Sequence, residues 1–300
     1  MNMNSLIGQL LSARFRVDDR IGEGATGVVF SATDEVLGRK VAIKVLKPKF
    51  AANPRFRERF TREAKIVAQL SLNSHVVTIY DVGETSNGLP FLVSEFLTGH
   101  TLNQEFCSPH RPSRSWVLEV GIQIAQALDD AHSRGVVHRD LKPANVFVVR
   151  TGVVPLFVKV LDFGLSYSDD LPLSPENATQ AGVLQGTPRY MAPESIGGEG
   201  SVPASDIYSL GVLLYEFNSG RFPYDAEKPS EFLRAHLSAD PLPFPDQTIP
   251  MPESFKQLVM QMLSKQPAER PDTRTCVREL SKSSLELKSM PRPNGSIEEG

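Results

Sequence analysis

The sequence predicts an α+β fold of two lobes, a small lobe rich in β-strands followed by a larger helical lobe. Apolar residues alternate with period two through residues 15–45, which is the spacing of strands. The spacing becomes helical over residues 55–70, and helices dominate beyond Gly99, so the hinge falls near 95–99. We expect a lead-in at 1–14, a small lobe at 15–97, a large lobe at 98–280 and a flexible tail at 281–300.

The small lobe is predicted to be an antiparallel sheet that carries one main helix. Its first strands place alternate apolar residues on one face, namely Val28, Phe30 and Ala32, then Val41, Ile43 and Val45. The helix that follows has an apolar stripe of Phe56, Phe60, Ala64, Val67 and Leu70. Two short strands are expected at Val76–Val82 and Pro90–Phe96.

The large lobe is predicted to be mainly helical. An amphipathic helix is expected at Trp116–Arg134 and stops at Gly135, and a nearly uniformly apolar helix at Asp206–Asn218 is expected in the centre of the core. The remaining expectations are a hairpin at Val146–Val149 and Val158–Leu161, a proline-rich connection at Pro223–Pro252, and final helices at Ser254–Leu263 and Asp272–Leu280.

Composition and charge exclude several classes of protein. The 300 residues contain 32 Lys and Arg and 35 Asp and Glu, a formal net charge of -3, and 40% of them are hydrophobic. This composition supports a packed core, and the lack of a basic excess argues against a nucleic-acid partner. Two cysteines are too few for a disulfide framework, and no apolar run approaches the roughly 18 residues that span a bilayer. We expect a soluble, cytoplasmic chain with no membrane span.

A glycine-rich turn, Gly-Glu-Gly-Ala-Thr-Gly-Val-Val, occupies residues 22–29. A dinucleotide-binding loop requires a helix directly after its glycines, whereas here β-branched residues continue the strand alternation. The G-x-x-x-x-G-K-[ST] pattern of a Walker loop is missing as well. Two interpretations remain, a plain hairpin turn or a flap whose glycines let backbone N–H groups approach phosphates.

Two charged residues are predicted in apolar surroundings. Lys44 lies in the middle of the apolar strand at 41–45, where an unpaired ammonium is unfavourable. Glu63 lies three residues after Phe60 and four before Val67, so it shares the apolar face of its helix. An ion pair between them would satisfy both charges and leave the ammonium within reach of phosphate oxygens. The alternative is that Lys44 extends to solvent while Glu63 lies at the edge of the stripe.

Acidic and amide side chains follow the apolar strands of the large lobe. The segment His138–Asn145 has a proline in its middle, which forbids a regular helix and predicts a loop. Asn145 and Asp162 flank the predicted hairpin, so their oxygens can converge, and hard oxygen ligands of this kind suit Mg²⁺. Asp140 could then accept the proton of an attacking hydroxyl, and Lys142 could neutralise a transferred phosphoryl group. Taken singly, each of these acids is more often a turn residue.

These segments occur in one order along the chain. The set is GEGATGVV at 22–29, VAIK at 41–44, Glu63, HRDLKPAN at 138–145, DFG at 162–164, GTPRYMAPE at 186–194, DIYSLGV at 206–212 and Arg270-Pro271. The ordered set resembles the eukaryotic-type protein kinases, most nearly their bacterial serine/threonine branch, over roughly residues 12–282. The resemblance implies the bilobal protein kinase fold and Mg²⁺-dependent phosphoryl transfer from ATP to serine or threonine hydroxyls of proteins.

The resemblance also implies roles for the matching positions. The catalytic set comprises a base (Asp140), phosphate contacts (Lys142 and Lys44), the partner of Lys44 (Glu63) and a brace for the loop (Thr187). The Mg²⁺ ligands are Asn145 and Asp162. ATP would be bound by Ile21, Gly22, Gly24, Gly27, Val29, Ala42, Lys44 and Phe147, with hinge backbone groups at Glu95 and Leu97. Structural roles fall to a buried pair (Glu194 and Arg270), an orienting carboxylate (Asp206) and a hydrophobic spine (His138, Phe163, Val67 and Ile79).

Some positions bear on specificity and regulation. Ser94 occupies the gatekeeper position, where relatives usually carry a larger residue, so an enlarged back pocket is expected. Arg139 precedes the catalytic aspartate, and an arginine there usually requires a phosphate, for which autophosphorylated Thr179 is the favoured donor. The hairpin between the two Mg²⁺ ligands is longer than usual, and its extra residues are expected around Thr151–Leu156.

Two other function classes were weighed against protein phosphorylation. A nucleotide-binding scaffold that signals without transfer would not need the full set of acids that this sequence retains. A small-molecule phosphotransferase of the same fold usually lacks the segment GTPRYMAPE, which in the family binds a peptide. The expected partners are therefore protein substrates, and a homodimer through the small lobe is known in relatives.

Overall fold

The computed structural model of the chain describes residues 3–24, 26–70, 73–106, 112–150, 152, 156–163, 188–245 and 251–290. Six antiparallel strands form one sheet in the order β1-β2-β3-β4-β6-β5. They are β1 (Leu10–Leu11), β2 (Phe15–Glu23), β3 (Gly27–Asp34), β4 (Arg39–Leu46), β5 (Ile79–Glu84) and β6 (Pro90–Glu95). The predicted alternation is confirmed, because Val41, Ile43 and Val45 are fully buried in the core of this lobe.

The main helix of the small lobe connects the cores of the two lobes. A short helix, α1 (Pro48–Ala51), precedes α2 (Pro54–Ala68), which begins where the side chain of Asn53 accepts a hydrogen bond of 3.0 Å from the backbone of Arg55. On its apolar stripe, Phe60 packs into the core of the sheet, whereas Val67 belongs to the core of the helical lobe. A rotation of α2 therefore changes contacts in both lobes.

Helices form most of the second lobe, as predicted. The elements are β7 (Gly99–Thr101), α3 (Leu102–Phe106), α4 (Arg114–Ser133), β8 (Val146–Val149), β9 (Val158–Val160), α5 (Pro193–Gly197), α6 (Pro203–Ser219), α7 (Pro229–Ser238), α8 (Glu253–Met262) and α9 (Thr273–Ser289). Helix α6 lies in the centre and packs against α4 and α8, which confirms the apolar helix expected there. After α4, Gly135 takes the left-handed φ of 73° that ends the helix.

A three-stranded antiparallel sheet, ordered β7-β8-β9, positions the loops that carry the acidic residues. The predicted hairpin of β8 and β9 is confirmed, and its register pairs Val146 with Val160. The backbone N–H of Leu161 donates a hydrogen bond of 2.8 Å to the carbonyl of Asn145, so the residues flanking the hairpin lie side by side. Most of the expected insertion at its tip lies outside the described residues.

Three expectations about the ends and connections of the chain are wrong. The lead-in is part of the small lobe, because it contains β1 and buries Leu6 and Leu11 in the sheet core. The proline-rich connection contains helix α7, which begins at Pro229. The final helix continues to Ser289 rather than ending at Leu280, so the segment 281–289 is helical and not a flexible tail.

Candidate active site

The loop at 138–145 is held by the buried carboxylate of Asp206 in the first turn of α6. Its two oxygens accept hydrogen bonds from the backbone N–H groups of His138, at 2.7 Å, and Arg139, at 2.9 Å. Arg139 takes a φ of 71°, a value that a residue with a side chain adopts only when its surroundings enforce it. Asp206 thus orients the loop backbone as the sequence predicted and fixes the direction of the next residue, Asp140.

The side chains of residues 140, 142 and 145 form one hydrogen-bonded group. Lys142 Nζ lies 2.7 Å from Asp140 Oδ2, and Asn145 Nδ2 donates to the same oxygen at 3.1 Å. Asn145 Nδ2 also donates to the backbone carbonyl of Asp140 at 2.8 Å, so the amide carbonyl of Asn145 is turned away and can face a cation. The side chain of Asp140 is 37% exposed, which leaves its carboxylate open to an incoming hydroxyl.

Asp162 lies just after β9 and pairs with the lysine of β4. Its φ of 56° is again left-handed, and Lys44 Nζ lies 2.7 Å from its Oδ2. Burial by itself would raise the pKa of Asp162. The charge and the hydrogen bond of Lys44 together lower it by more than burial raises it, so the pKa lies below its ordinary value. The loop of residues 138–145 contacts this segment, because His138 Nε2 lies 2.8 Å from the carbonyl oxygen of Leu161.

The expected pair between Lys44 and Glu63 is not formed in this structure. Glu63 is buried on the inner face of α2, as predicted, but its Oε1 accepts hydrogen bonds from Arg59 Nε at 2.9 Å and Arg139 Nη1 at 2.8 Å. Burial raises the pKa of Glu63, and the two arginines reduce this rise without cancelling it. The sequence correctly indicated that both charges need partners, and in this structure those partners are Asp162 for Lys44 and the two arginines for Glu63.

One face of the small-lobe sheet lines the cleft between the lobes. Val29 lies opposite Lys44 in the β3–β4 register, and Ala42 lies opposite Ser94 in the β4–β6 register. These four positions share a face because residues at alternate positions of a strand point the same way. Ile21, near the end of β2, is 51% exposed. The structure therefore brings the expected adenine-lining residues of β3 and β4 beside the lysine.

The glycine turn lies close to the same lysine. A Cβ atom on Gly27 would lie 2.9 Å from the carbonyl oxygen of Val45 and 3.2 Å from Lys44 Cγ, so this position admits no side chain without movement. Gly24 N donates a hydrogen bond of 2.9 Å to the carbonyl of Gly27, which closes the turn, and Gly22 pairs with Val29 in the register of β2 and β3. The turn joins two paired strands, which excludes a helix directly after the glycines.

The hinge is fastened to the large lobe through one side chain. Glu95 Oε1 accepts hydrogen bonds from the backbone of Thr78 at 2.7 Å and from Lys159 Nζ at 2.6 Å. No hydrogen bond within the described part of the chain engages the backbone of Leu97, so its N–H and carbonyl are open to a planar heterocycle. Phe147, in β8, is half-buried and pairs with Thr101 across the register.

One expected site residue lies outside the described structure. Thr187 falls in the segment 164–187, together with the expected phosphorylation site Thr179. The described chain resumes at Pro188, which starts a short turn of helix, Pro188–Tyr190.

The buried pair expected in the helical lobe is present. Arg270 Nη1 and Nη2 donate to the two carboxylate oxygens of Glu194 at 2.7 Å and 2.8 Å, and both side chains are almost completely buried. Burial by itself would raise the pKa of Glu194. Hydrogen bonds from Arg270 and Ser205 lower it by more than burial raises it, so the pKa lies below the ordinary value of 4.5. This two-point contact fixes α5 to the segment before α9.

The expected hydrophobic spine is also assembled. The rings of His138 and Phe163 lie 4.7 Å apart between centroids. Val67 and Phe163 belong to one hydrophobic cluster, and Ile79 packs against it. Residues from α2, β5 and the loop of Phe163 therefore belong to or pack against one hydrophobic cluster, and His138 contacts it through Phe163.

Three residues of the site were missed by the sequence analysis. Lys159 shows the same signal that identified Lys44, a single lysine inside an apolar strand, and it binds the hinge. Arg59 lies four residues before Glu63, which is the spacing of a helical ion pair. His132, whose Nε2 lies 2.8 Å from Asp206 Oδ2, has no comparable signal because a histidine on an amphipathic helix is common.

The donor set fits a magnesium ion bound largely by a substrate. In the described ranges no cluster of three or more His, Cys, Asp or Glu could hold a metal ion by itself. Mg²⁺ takes one or two carboxylate or amide oxygens and completes its shell with phosphates and water. The ammonium of Lys44 lies against Asp162. The carboxylate of Asp162 therefore already faces a positive charge, at a position that also suits a metal cation.

Comparison with protein families identifies this arrangement. The family model described as "Protein kinase domain" matches residues 15–280. The chain belongs to the protein kinase family. The match covers both lobes of this kinase and every expected site residue, including the ones outside the described structure.

Bacterial kinases are similar to this kinase over most of its length. Serine/threonine-protein kinase PknA of Mycobacterium tuberculosis is 38% identical over 272 residues, which are 89% of this chain and 60% of that protein. Serine/threonine-protein kinase pkn3 of Myxococcus xanthus is 35% identical over 269 residues, which are 88% of this chain and 49% of that protein. The chain thus spans only about half to three-fifths of these relatives.

A solved structure shares the fold. The kinase domain of Mycobacterium tuberculosis PknI superimposes with a TM-score of 0.68 at 25% identity, and the alignment covers 92% of this chain and 98% of that one. The bilobal fold expected from the sequence is therefore confirmed. Among the described residues, no helix is both long and apolar enough to cross a membrane.

Proposed function

We propose that this kinase transfers the γ-phosphoryl group of ATP to serine or threonine hydroxyls of proteins. The observation that carries the proposal is the placement of Asp140, Lys142 and Asn145 in one hydrogen-bonded group beside the Lys44–Asp162 pair. The names of the similar bacterial proteins support the same reaction, since each is described as a serine/threonine-protein kinase.

In the proposed reaction, Asp140 accepts the proton of the substrate hydroxyl as the hydroxyl oxygen bonds to the γ-phosphorus. The bond from the γ-phosphorus to the oxygen that bridges it to the β-phosphate breaks, and ADP leaves. Lys142, which already lies 2.7 Å from the base, is placed to neutralise the transferred group. Thr187 would brace this pair.

Asn145 and Asp162 would hold Mg²⁺ through the oxygens that face the cleft. Bound Mg²⁺ would neutralise the phosphates of ATP. Lys44 would then exchange Asp162 for the α- and β-phosphates, which offer the same kind of anionic oxygen to its ammonium. The role of Glu63 would be to orient Lys44 in that state.

ATP would bind across the sheet face that lines the cleft. The open backbone groups of Leu97 and the carbonyl of Glu95 would contact the adenine edge, between Val29 and Ala42 on one side and Phe147 on the other. Ile21 would cover the ring, and the backbone of Gly22, Gly24 and Gly27 would lie over the phosphates.

Autophosphorylation of the activation segment belongs to the same proposal, with Thr179 as the acceptor. The proposed partners are proteins that carry the acceptor hydroxyl, and from the composition we expect a cytoplasmic location and no nucleic-acid partner. A homodimer formed through the small lobe is part of the same proposal.

Phosphosite mapping after incubation with Mg²⁺ and ATP tests the proposal. Wild-type protein is expected to gain phosphate on serine or threonine. The Asp140→Asn variant is expected to turn over on the order of 10²–10⁴-fold more slowly, with little change in its affinity for ATP. The matched control is Asp225→Asn, an exposed aspartate of the same lobe. Phosphorylation that survives in Asp140→Asn at the wild-type rate contradicts the assignment of the base. Thr179→Ala with unchanged activity contradicts the assignment of the phosphosite.

A further inference from the structure

A chain of hydrogen bonds links four side chains of the helical lobe to one backbone carbonyl. The ring of His236, in α7, is completely buried, and its Nε2 lies 3.0 Å from the carbonyl oxygen of Arg189. Its Nδ1 lies 2.8 Å from the hydroxyl of Tyr208 in α6, and that hydroxyl lies 2.7 Å from the hydroxyl of Tyr224. Lys265 Nζ lies 2.9 Å from the Tyr224 hydroxyl and ends the chain.

The donors and acceptors of this chain have one consistent order. A carbonyl oxygen can only accept, so His236 Nε2 carries a proton and donates to Arg189. Burial and the charge of Lys265 lower the pKa of His236 to about 3, so the ring is neutral and its Nδ1 accepts from Tyr208. Each hydroxyl has a single proton, so Tyr224 donates to Tyr208 and accepts from the ammonium of Lys265. The carbonyl at one end and the ammonium at the other therefore determine which ring nitrogen holds the proton.

The carbonyl of Arg189 belongs to a segment that is held at several points. The guanidinium carbon of Arg189 lies 4.8 Å and 5.1 Å from the ring centroids of Phe222 and Phe232. The next carbonyl, that of Tyr190, accepts a hydrogen bond of 2.7 Å from the hydroxyl of Ser209 in α6. Two consecutive carbonyls are thus bound by donors on α7 and α6, which fixes the orientation of the backbone between them.

The same segment lies beside the proposed base. Tyr190 and Met191 line a small cavity of about 40 Å³ together with Asp140. Helix α6 supports both walls of this cavity, because Asp206 holds the backbone of the catalytic loop and Ser209 holds the carbonyl of Tyr190. A protein chain whose hydroxyl reaches Asp140 would therefore pass against this segment.

We propose that His236 is a positioning residue for the protein substrate. Through the carbonyl of Arg189 it fixes the segment of residues 188–191, against which the acceptor chain lies. This inference rests on the proposed function. The four side chains of the hydrogen-bonded chain are not among the residues expected to bind ATP or Mg²⁺, so a change at His236 is expected to alter the binding of the acceptor alone.

The first test determines which nitrogen of the His236 ring carries the proton. Long-range proton–nitrogen correlation spectra of the full chain distinguish a protonated ring nitrogen from a bare one, and the signal of His236 is assigned by its loss in His236→Gln. At neutral pH we expect a proton on Nε2 and none on Nδ1. A proton on Nδ1, with or without one on Nε2, overturns the inference.

The second test compares the KM for the acceptor with the KM for ATP. His236→Leu keeps an apolar side chain but loses the donor, so the KM for casein is expected to rise about three- to tenfold while the KM for ATP does not change. His236→Gln keeps an N–H group that can donate to the same carbonyl, and it is expected to restore most of the affinity for casein. A rise of equal size in both KM values contradicts the proposal.

A matched variant controls for a general loss of stability in the large lobe. Thr273→Val removes the hydrogen bond of 2.6 Å from a buried threonine to Asp129, far from the segment of residues 188–191 along the chain. It is expected to leave the KM for casein unchanged, and an increase like that of His236→Leu contradicts the proposal. If His236→Leu does not fold, Tyr208→Phe takes its place, because it removes the donor that orients the ring, and it is expected to raise the same KM by a smaller factor.

The activity of wild type separates this inference from the proposed function. If wild type phosphorylates casein and His236→Leu has the same KM for casein, only the role of His236 fails. If wild type phosphorylates itself but not casein, the Asp140→Asn chain replaces casein as the acceptor in the same comparison. If wild type transfers no phosphate to any of these acceptors, the proposed function fails, and the role of His236 fails with it.

Discussion

Lys44 Nζ and Asp162 Oδ2 lie 2.7 Å apart and form an ion pair across the cleft between the lobes. In this structure each group neutralises the charge of the other. In the proposed reaction, a phosphate of ATP would take the place of the aspartate beside Lys44, and Mg²⁺ would take the place of the lysine beside Asp162. The pair therefore marks the position at which nucleotide and metal are expected to insert.

Replacing Asp162 tests the proposed metal ligand directly. Asp162→Asn is expected to abolish Mg²⁺-dependent phosphoryl transfer, because the amide keeps the shape of the carboxylate but not the charge that a divalent cation requires. The transfer rate with Mg²⁺ and ATP is the measurement, and Asp225→Asn is the control. A variant that retains the full rate would show that Asp162 does not bind the metal.

The small gatekeeper position predicts a distinctive sensitivity to inhibitors. Ser94 is buried opposite Ala42 on the cleft face, so little side-chain volume stands behind the adenine site. Purine analogues with a bulky aryl group are expected to inhibit wild type at concentrations about tenfold lower than Ser94→Met, in which the added side chain overpacks the site. Equal inhibition of both proteins, with an equal KM for ATP, would mean that no back pocket is available.

The buried pair between Arg270 and Glu194 predicts a large effect on stability. Arg270→Met leaves the carboxylate buried without its two-point partner and is expected to lower the free energy of unfolding by about 3–5 kcal/mol. Chemical denaturation at neutral pH measures this loss. Arg274→Met, at a position whose side chain is 79% exposed, is the matched control and is expected to be nearly neutral. A similar stability for the two variants would contradict the structural role of the pair.

The carboxyl group of Glu216 predicts a dependence of stability on pH. Burial raises the pKa of Glu216 to about 7 from 4.5, and the hydroxyl of Tyr190 donates a hydrogen bond to it at 2.5 Å. Between these two values the folded state holds a proton that the unfolded state has released, so this group lowers stability as pH rises through that range and adds no further change above it.

Glu216→Gln removes this titration. The stability of the variant relative to wild type is expected to increase from pH 4.5 to pH 7 and then to level off. Thermal melting across this pH range measures the difference, and Glu227→Gln, an exposed glutamate, provides the comparison. A difference that does not vary with pH would show that folding does not raise the pKa of Glu216.

Helices and strands whose apolar residues recur with a clear period could be predicted from the sequence. Elements that are stabilised by contacts between residues far apart in the chain could not. Strand β4 and helix α6 follow from apolar spacing alone. Helix α7 was missed because Pro229 was interpreted as part of a connection, although proline is favoured in the first turn of a helix. The extension of α9 contains Ser283, which is fully buried and whose hydroxyl lies 2.8 Å from that of Ser254. A serine in a polar segment gives no sign of such burial.

In the candidate active site, too, some features could be predicted from the local sequence and others depend on distant contacts. Ordered motifs located the residues of the cleft, because each motif carries a chemical requirement that restricts its composition. The pair of Lys44 and Glu63 is not formed in this structure, because burial requires only that each charge have a partner. Several partners of equal charge, such as Arg59 and Arg139 for the glutamate, satisfy that requirement. Arg139 is 76 residues from Glu63 along the chain, so the sequence around Glu63 does not reveal this contact.

The buried leucines of the N-terminal segment set a practical limit on shortening this kinase. Leu11 pairs with Phe15 between β1 and β2, and Leu6 is 1% exposed against the same apolar cluster. A truncated chain that starts at Phe15, where the family match begins, would expose that aromatic ring to solvent. The edge of the sheet would then carry an exposed apolar patch that favours aggregation. A shortened chain intended for expression should therefore retain Leu6 and Leu11.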